Sequence, residues 1–560
     1  MKIKKYYIII VTLLIGFQHH IKGQIKDGNI KTKSSHLITA GVDFTESNLP
    51  IIMIDTEGQI IPDEPKITAK MKVLNSPNGI NNINDTIYEY NGYIGIEIRG
   101  NTAQMFPKKS YTVETRLSTG ENNNVSLLGL PMENDWVFHG PYSDKSLMRN
   151  VMAYHIGNGM GHWSPRTRFC EVVLNGQYSG IYVLVEKIKR DKTRVNIAKL
   201  KPEDISGDQL TGGYIMSIDR DQPGSWNSPF MGRTGSVDVP VSYVDPKYSE
   251  LTDEQRSYIR EYITDFEYAL DGENYKDPAL GYRAYIDVES FIDYFIITEL
   301  SRDLDGYRVS VYFHKDKDSK GGKLIMSPFW DYNICFGNAN FMQAWLTTGW
   351  AEEGIGAGDW YEIPFWWDKL RTDPYFETML KYRWEKLRNN VLDKARLMNC
   401  IDSCKNLLNE AQVRNFTQYN NLGYKVWPNK YALGSYINEV DYLKDWFDKR
   451  IDWLDSQIAL IEPAFPDGVD KINGNMSVVS YPNPFINRLT LDIDLNSAGT
   501  IDVVIYGITG TIVYQKSMVG HSGSNIMVIN DGEIKSSENV FFYSVLLNDQ
   551  IIKTGKVIKR

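Results

Sequence analysis

Acidic side chains lie on both sides of a predicted β-hairpin in the middle of the chain. The runs VSVYFH (309–314) and KLIMSPFW (323–330) have the composition of two strands, and the polar turn KDKDSKGG joins them. Antiparallel pairing places the residues before the first strand beside those after the second. We therefore expect Asp303 and Asp305 to lie close to Asp331 and Asn333.

Carboxylates gathered in this way repel one another unless a cation neutralises them. Oxygen ligands suit Mg²⁺, Ca²⁺ or Mn²⁺, whereas the alternative is a rim of solvated acids around a turn. Phosphoryl transfer uses a similar layout, in which a base Asp precedes a hairpin and a metal-binding Asp follows it. The hairpin is therefore a candidate site for metal-assisted phosphoryl transfer.

A phosphoryl-transfer site also needs a lysine near the phosphates, and two lysines compete for this role. Lys109 shares the strand alternation of Tyr111 and Val113, so we expect it to be partly buried and to need an anion. Lys187, in the strand-like run GIYVLVEKI (180–188), is the rival. The pattern does not distinguish the two.

Strands and helices both surround the hairpin, which predicts an α+β fold. Alternating strands are expected between residues 49 and 198, with a hairpin turn at Asn175-Gly176. Helical spacing covers residues 147–160, 245–302 and 364–460. The second region opens on a Ser or Thr cap in SELTDEQ (249–255). The last helix of the third carries one apolar stripe, formed by Leu443, Phe447, Ile451, Leu454 and Ile458.

Five segments between about residues 45 and 460 resemble, in order, the CotH family of spore-coat-type kinases. They are IEIRGNTAQMFPKKSYTVET, DKSLMRN, VVLNGQYSGIYVLVEKIKRDKTRVNI, DGYRVSVYFHKDKDSKGGKL and PFWDYNICFGN. The resemblance implies an atypical protein-kinase-like core over residues 46–460. It also implies phosphate transfer from ATP to Ser or Thr of a protein, with Mg²⁺ or Mn²⁺.

The resemblance gives roles to individual residues. Asp305 matches the catalytic Asp, and Asp331 matches the metal-binding Asp, with Asn333 as a further metal ligand. Lys109 and Lys187 are the nucleotide-binding candidates. Asp303 imitates the kinase motif but lies two residues early, so Asp305 is preferred.

The sequence departs from the family at two of these positions. Ser310 stands where some members have Asn, and Asn333 stands where many have Asp. Each change removes a strong metal ligand, although Asn333 still offers a carbonyl oxygen. There is no Walker motif, and Gly354-Ile-Gly-Ala-Gly358 falls short of GxGxxG.

The N-terminus predicts export. Residues 1–23 combine a basic start with a short apolar run, which is typical of a signal peptide. Residues 24–45 are polar, and we expect them to be flexible. No later stretch approaches eighteen apolar residues, so no transmembrane span is expected in the mature chain. The net charge of −9 argues against a nucleic-acid partner.

A second unit is predicted after a Pro- and Gly-containing linker at 461–478. Residues 479–560 have the short alternating strands of a β-sandwich. The segments YPNPF (481–485), VVIYGITGTIVYQK (503–516) and KTGKVIKR (553–560) resemble the C-terminal sorting domain of the type IX secretion system. Asn539 replaces the glycine usual in that family. A carbohydrate-binding or structural sandwich is the alternative.

Three functions remain open from the sequence. The first is a kinase at the outer cell surface or secreted, exported through the periplasm by the type IX machinery and acting on an exported protein. The second is a catalytically silent kinase-like scaffold that binds partners at the surface. The third is a glycan hydrolase, which would also use paired carboxylates.

Overall fold

The chain is a mixed α/β protein with substantial strand content. The computed structural model describes residues 42–354, 359–462, 476–508, 511–548 and 550–560. The predicted signal peptide, most of the predicted flexible segment and residues 463–475 of the predicted linker lie outside these ranges, as do residues 355–358 of the glycine-containing run.

Seven strands of the N-terminal part form a closed barrel in the order β2-β3-β5-β6-β7-β9-β8. The strands of this part are β1 (Glu46–Ser47), β2 (Ile51–Asp55), β3 (Ile67–Leu74), β4 (Asn81–Asn82), β5 (Tyr90–Arg99), β6 (Ser110–Arg116), β7 (Asp135–His139), β8 (Thr167–Leu174) and β9 (Gln177–Glu186). A parallel pair, β2 with β8, closes the barrel. Its inward side chains, such as Ile96, Val113 and Trp136, form one hydrophobic cluster.

The expected turn at Asn175-Gly176 is confirmed. It joins the antiparallel strands β8 and β9, and both residues have positive φ, 50° and 75°. Asn and Gly tolerate this left-handed conformation best, which is why the pair marks a tight hairpin.

A five-stranded sheet follows the barrel, in the order β11-β12-β10-β13-β14. Its strands are β10 (Tyr214–Ile218), β11 (Trp226–Asn227), β12 (Pro240–Asp245), β13 (Val311–Lys315) and β14 (Leu324–Ile325). The predicted hairpin is present as the antiparallel pair β13 and β14, with His314 opposite Ile325.

Both hairpin strands are shorter than predicted. The first begins at Val311 because Ser310 has a left-handed φ of 58°, which a strand does not accommodate. The second ends at Ile325 because the N–H of Met326 donates to the Ser290 hydroxyl instead of to the ladder (3.1 Å).

Helices cover much of the chain after the barrel. The α-helices are α1 (Arg149–Gly159), α2 (Gly207–Leu210), α3 (Asp253–Asp271), α4 (Val288–Ser301), α5 (Ala351–Gly354), α6 (Trp366–Leu370), α7 (Pro374–Arg388), α8 (Lys394–Leu407), α9 (Ala411–Tyr419) and α10 (Tyr436–Ala459). Short 3-10 helices occur at Thr102–Met105, Tyr248–Glu250, Tyr282–Ala284, Asp318–Lys320 and Asp531–Glu533. Among the described helices, none is long and apolar enough to cross a membrane.

The predicted helical region 245–302 is divided into two helices. α3 begins at a capping box, in which Thr252 accepts from the N–H of Gln255 and the Gln255 side chain accepts from the N–H of Thr252. Gly272 ends the first helix, and sixteen residues (272–287) separate it from α4. The stripe predicted on the last helix, including Phe447 and Ile451, is buried in α10.

The C-terminal part consists of two antiparallel sheets, β15-β16-β19 and β18-β17-β20-β21. The strands are β15 (Ser477–Tyr481), β16 (Arg488–Leu495), β17 (Gly499–Tyr506), β18 (Ile512–Gly520), β19 (Gly523–Asn530), β20 (Val540–Leu547) and β21 (Gln550–Ile558). Side chains from both sheets share one hydrophobic cluster that contains only residues of this part. β15 begins two residues before the domain boundary predicted at 479.

Candidate active site at the open end of the hairpin

Asp305 lies in the turn between helix α4 and strand β13. The backbone N–H groups of Arg308 and Val309 donate to its carbonyl oxygen at 2.9 and 2.8 Å, which closes this turn. Arg302 ends the helix in a left-handed conformation, and its buried guanidinium donates to backbone carbonyls of the segment 343–349. The hydrogen bonds of Arg302 therefore tie the start of the turn that carries Asp305 to the segment 343–349.

Asp303 and Asp305 differ in exposure. Asp303 is 1% exposed, whereas the Asp305 side chain is 26% exposed and can be reached by a ligand. Burial raises the pKa of Asp303 well above its usual range, and the charges of Asp305 and Asp331 raise it further. Burial also raises the pKa of Asp305 to about 6, although Arg308, 3.5 Å away, opposes the rise.

Asp331 lies beyond the second hairpin strand. It has a left-handed φ of 68°, and its N–H donates to the Tyr154 hydroxyl at 3.1 Å. Burial raises the pKa of Asp331, while the charges of Arg99 and Arg220 lower it. Because the charge of Asp331 also raises the pKa of Asp305, the two acids of the hairpin lie within electrostatic range of each other.

Asn333 is half-buried two residues further on. Its backbone carbonyl accepts from the side-chain amide of Asn338 at 3.0 Å. This hydrogen bond holds the backbone two residues after Asp331.

Asp219 is an acid of this site that the sequence analysis missed. It follows strand β10, which pairs with the hairpin strand β13. Burial raises its pKa and the charge of Asp331 adds to the rise, while the N–H groups of Arg220 and Ser310 oppose it by hydrogen bonding. The buried run YIMSI directly before Asp219 was the available signal, because charged residues at the end of a buried strand often line a site.

Two arginines of the site were also missed. Arg99 ends strand β5, and its guanidinium lies 5.2 Å from the centre of the Trp330 ring. Arg220 lies 5.9 Å from the centre of the Tyr361 ring. Arg99 belongs to the segment IEIRGNT, which carries part of the family resemblance, and this was the signal for it.

The two lysines predicted to bind nucleotide occupy different surroundings. Lys109 is half-buried, and its ammonium donates to the carbonyl of Gln104 at 2.5 Å. Lys187 follows β9 and lies 3.7 Å from Asp135. Burial lowers the pKa of Lys187, Asp135 opposes this, and the charge of Arg99 adds a small further decrease. Lys187 is therefore within electrostatic range of Arg99.

The neighbouring Lys108 is the buried lysine of this segment. It is 2% exposed, donates to the Asn415 side chain at 2.7 Å, and lies over the rings of Tyr182 and Tyr419. Burial lowers its pKa to about 7. The partial burial predicted for Lys109 is confirmed, and Lys108 is the more deeply buried lysine of the two.

The donor chemistry of the site fits a hard divalent cation, since Asp219, Asp305 and Asp331 carry raised pKa values that an added positive charge would lower. Suitable donor chemistry does not by itself mean that the ligands are already arranged around a metal position. In the described ranges, no group of three or more His, Cys, Asp or Glu is arranged to hold a metal ion.

Comparison with known families gives one match. The family model described as CotH kinase protein matches residues 96–454, which include the end of β5, the hairpin and all the acids discussed above. No curated protein matches the chain.

Proposed function

The chain belongs to the CotH kinase protein family, and from this premise we propose that it transfers phosphate from ATP to Ser or Thr of an exported protein. The observation that carries the proposal is the hairpin. Asp305 before its first strand and Asp331 after its second act on each other electrostatically, while only the neighbouring Asp303 is fully buried. The kinase-like fold of the core is part of the same proposal.

Asp305 is the proposed catalytic base. Its pKa of about 6 leaves the carboxylate ionised at neutral pH and yet able to accept a proton from an approaching hydroxyl. Its partial exposure lets a protein substrate reach it, whereas Asp303 is enclosed.

The carboxylate of Asp331 and the side-chain carbonyl oxygen of Asn333 are the proposed ligands for Mg²⁺ or Mn²⁺. When bound, the metal ion would neutralise charge on the transferred phosphoryl group. Lys187 and Lys109 remain the proposed lysine contacts to the nucleotide.

We also propose that the two ends of the chain direct its export. The C-terminal sheets have a hydrophobic cluster of their own, which supports a separate β-sandwich unit. With residues 1–23 as signal peptide, this unit would act as the type IX sorting domain. The protein would then work at the outer surface or in the medium.

Calorimetric titration of the mature chain, residues 24–560, with Mg²⁺-ATP tests the kinase proposal. Asp305→Asn should bind Mg²⁺-ATP with unchanged affinity and lose phosphoryl transfer, because an amide cannot take up the proton. Asp331→Asn should lose metal-dependent binding. Asp303→Asn, which changes an enclosed acid of the same turn, is the matched control and should retain both properties.

Different outcomes would change the assignment. Loss of transfer only in Asp303→Asn would move the catalytic role two residues earlier. Unchanged Mg²⁺-ATP affinity in Asp331→Asn would remove the metal role.

A silent scaffold is the second candidate function. Ser310 and Asn333 replace strong ligands found in other members of the family, and the described residues do not form a closed metal site. Wild-type protein that binds no nucleotide, or that binds it and phosphorylates nothing, would favour this candidate.

A further inference from the structure

Arg99 and Arg220, which we call the arginine pair, differ from the other arginines buried near the site. Arg149 pairs with Asp144 at 2.5 Å, and Arg450 pairs with Glu299 at 3.1 Å. Arg302 donates to three backbone carbonyls. Across the described part of the chain, the guanidinium groups of the arginine pair make no hydrogen bond and no ion pair. Two half-buried cations therefore keep their N–H donors unused.

An aromatic ring lies beside each of these two guanidinium groups. Arg99 lies over Trp330 and Arg220 lies near the face of Tyr361. A contact with an aromatic ring uses none of the five N–H donors of a guanidinium, so these donors remain available to a ligand. The planar fork of a guanidinium matches the paired oxygens of a phosphate.

The two arginines come from different sheets, and the charges of both lower the pKa of the same acid, Asp331. Arg99 ends strand β5 of the barrel, and Arg220 follows strand β10 of the five-stranded sheet. Trp330, the ring under Arg99, directly precedes Asp331, and its edge meets Tyr312 of the hairpin at 6.4 Å between ring centres. The charges of both arginines act on Asp331. A ligand beside Asp331 would therefore contact both sheets.

We propose that the arginine pair is the phosphate-binding contact of this site, with Arg99 and Arg220 donating to the oxygens of a polyphosphate from two sides. The identity of that polyphosphate as the tail of a nucleotide rests on the proposed function. The acids then face the divalent cation that accompanies the polyphosphate, while the arginines face its oxygens. The arginine pair and the acids make no ion pair with each other, and a single metal-bound polyphosphate would supply a partner of opposite charge to each.

The competing explanation is that the arginine pair only offsets repulsion among the acids. In that case the arginines would stabilise the fold and would not contact a ligand. The two explanations predict different affinities for a polyphosphate that lacks a nucleoside. If the arginine pair only offsets the acids, the protein should not bind such a polyphosphate tightly.

Calorimetry on the mature chain, with Mg²⁺-tripolyphosphate and Mg²⁺-ATP as separate probes, separates these explanations. Arg99→Met and Arg220→Met keep an unbranched stem over the ring and remove the charge. Each should weaken the binding of both probes about ten- to hundredfold, as expected for the loss of charge-assisted hydrogen bonds. Arg99→Lys should fall between wild type and Arg99→Met, since it keeps the charge without the planar fork.

Lys72→Met is the matched control. Lys72 is also a cation over an aromatic ring of the barrel, 4.9 Å from the centre of Tyr88. It pairs with Asn91 of β5, eight residues or roughly 26 Å of strand away from Arg99. Its loss should leave the affinity for both probes unchanged. Melting temperatures of all variants show whether each is folded.

The outcomes distinguish this inference from the kinase proposal. If the arginine variants are folded and bind both probes as tightly as wild type, the arginine pair is not the phosphate contact, and the kinase proposal survives. If wild type binds tripolyphosphate through the arginine pair but does not bind ATP, the phosphate site stands and the kinase proposal fails. Wild type that binds neither probe overturns the phosphate site.

Discussion

Glu267 gives a test of how the core responds to pH. It lies on α3, is 1% exposed, and accepts through Oε1 from the Ser228 hydroxyl at 2.8 Å and from the Trp366 indole at 2.9 Å. Its other oxygen has no partner in the described part of the chain. Burial therefore raises the pKa of Glu267 from 4.5 to about 7, against the opposing effect of the two hydrogen bonds.

The direction of the effect on stability follows from proton counting. Between pH 4.5 and 7 the folded state holds the Glu267 proton and the unfolded state has lost it, so the free energy of unfolding falls as pH rises. The pKa difference corresponds to about 3 kcal/mol above pH 7, since one pKa unit is about 1.4 kcal/mol. At pH 4.5 and below, the burial of Glu267 therefore has its smallest effect on the free energy of unfolding of the core.

Glu267→Gln removes this ionisation and keeps the Oε1 acceptor. The melting temperature of the variant minus that of wild type should be about 4 °C higher at pH 8 than at pH 4.5. This value is the ~3 kcal/mol divided by an unfolding entropy of ~2.1 cal/mol/K for each of ~400 core residues. Scanning calorimetry of the full mature chain at pH 4.5, 6 and 8 measures this difference. Glu261→Gln, an exposed substitution on the same helix, is the control and should follow wild type. Equal pH dependence in wild type and Glu267→Gln would refute the reasoning.

Two further predictions follow from other parts of the chain. Lys108→Met should raise the core melting temperature at pH 7 and below. Burial lowers the pKa of Lys108 from 10.5 to about 7, so between these pH values the unfolded state holds a proton that the folded state lacks, and the destabilising effect of the lysine is complete below pH 7. Calorimetry should find that the gain in melting temperature shrinks as the pH rises from 7 towards 10. Deleting residues 479–560 should leave a folded core retained in the periplasm, because the C-terminal sheets have their own hydrophobic cluster. Truncated protein found at the surface or in the medium by fractionation would contradict the sorting role.

The elements predicted correctly are those whose signals are local. The Asn175-Gly176 turn, the Thr252 cap and the buried stripe of α10 each depend on residues a few positions apart. The hairpin was predicted for the same reason. Its ends were misjudged because the conformation of Ser310 and the hydrogen bond of Met326 depend on distant residues.

The missed parts of the site depend on pairing across long stretches of chain. Strand β10 is short, and its pairing of Tyr214 with Lys315 brings Asp219 and Arg220 to the hairpin. A single sequence contains no record of that contact. The charge of Arg99 acts on Asp331 from the end of β5, and the pairing of all seven barrel strands determines where that end lies.

The cost of the site bears on the choice between a kinase and a silent scaffold. Asp219, Asp303, Asp305 and Asp331 all carry raised pKa values, which means that their ionised forms are unfavourable in the fold. Asp331 also has left-handed backbone geometry, which costs on the order of 1–3 kcal/mol at a residue other than glycine.

A protein that only displays a surface gains nothing from these unfavourable features, which well-packed neutral residues would remove. A ligand with a divalent cation and phosphate oxygens would offset them. The cation would bring positive charge to the acids, and the phosphate oxygens would bring negative charge to Arg99 and Arg220. The scaffold function therefore requires a partner that supplies the same two charges. A folded protein with no affinity for Mg²⁺-ATP, for Mg²⁺-tripolyphosphate or for any other metal-bound oxyanion would leave these costs unexplained.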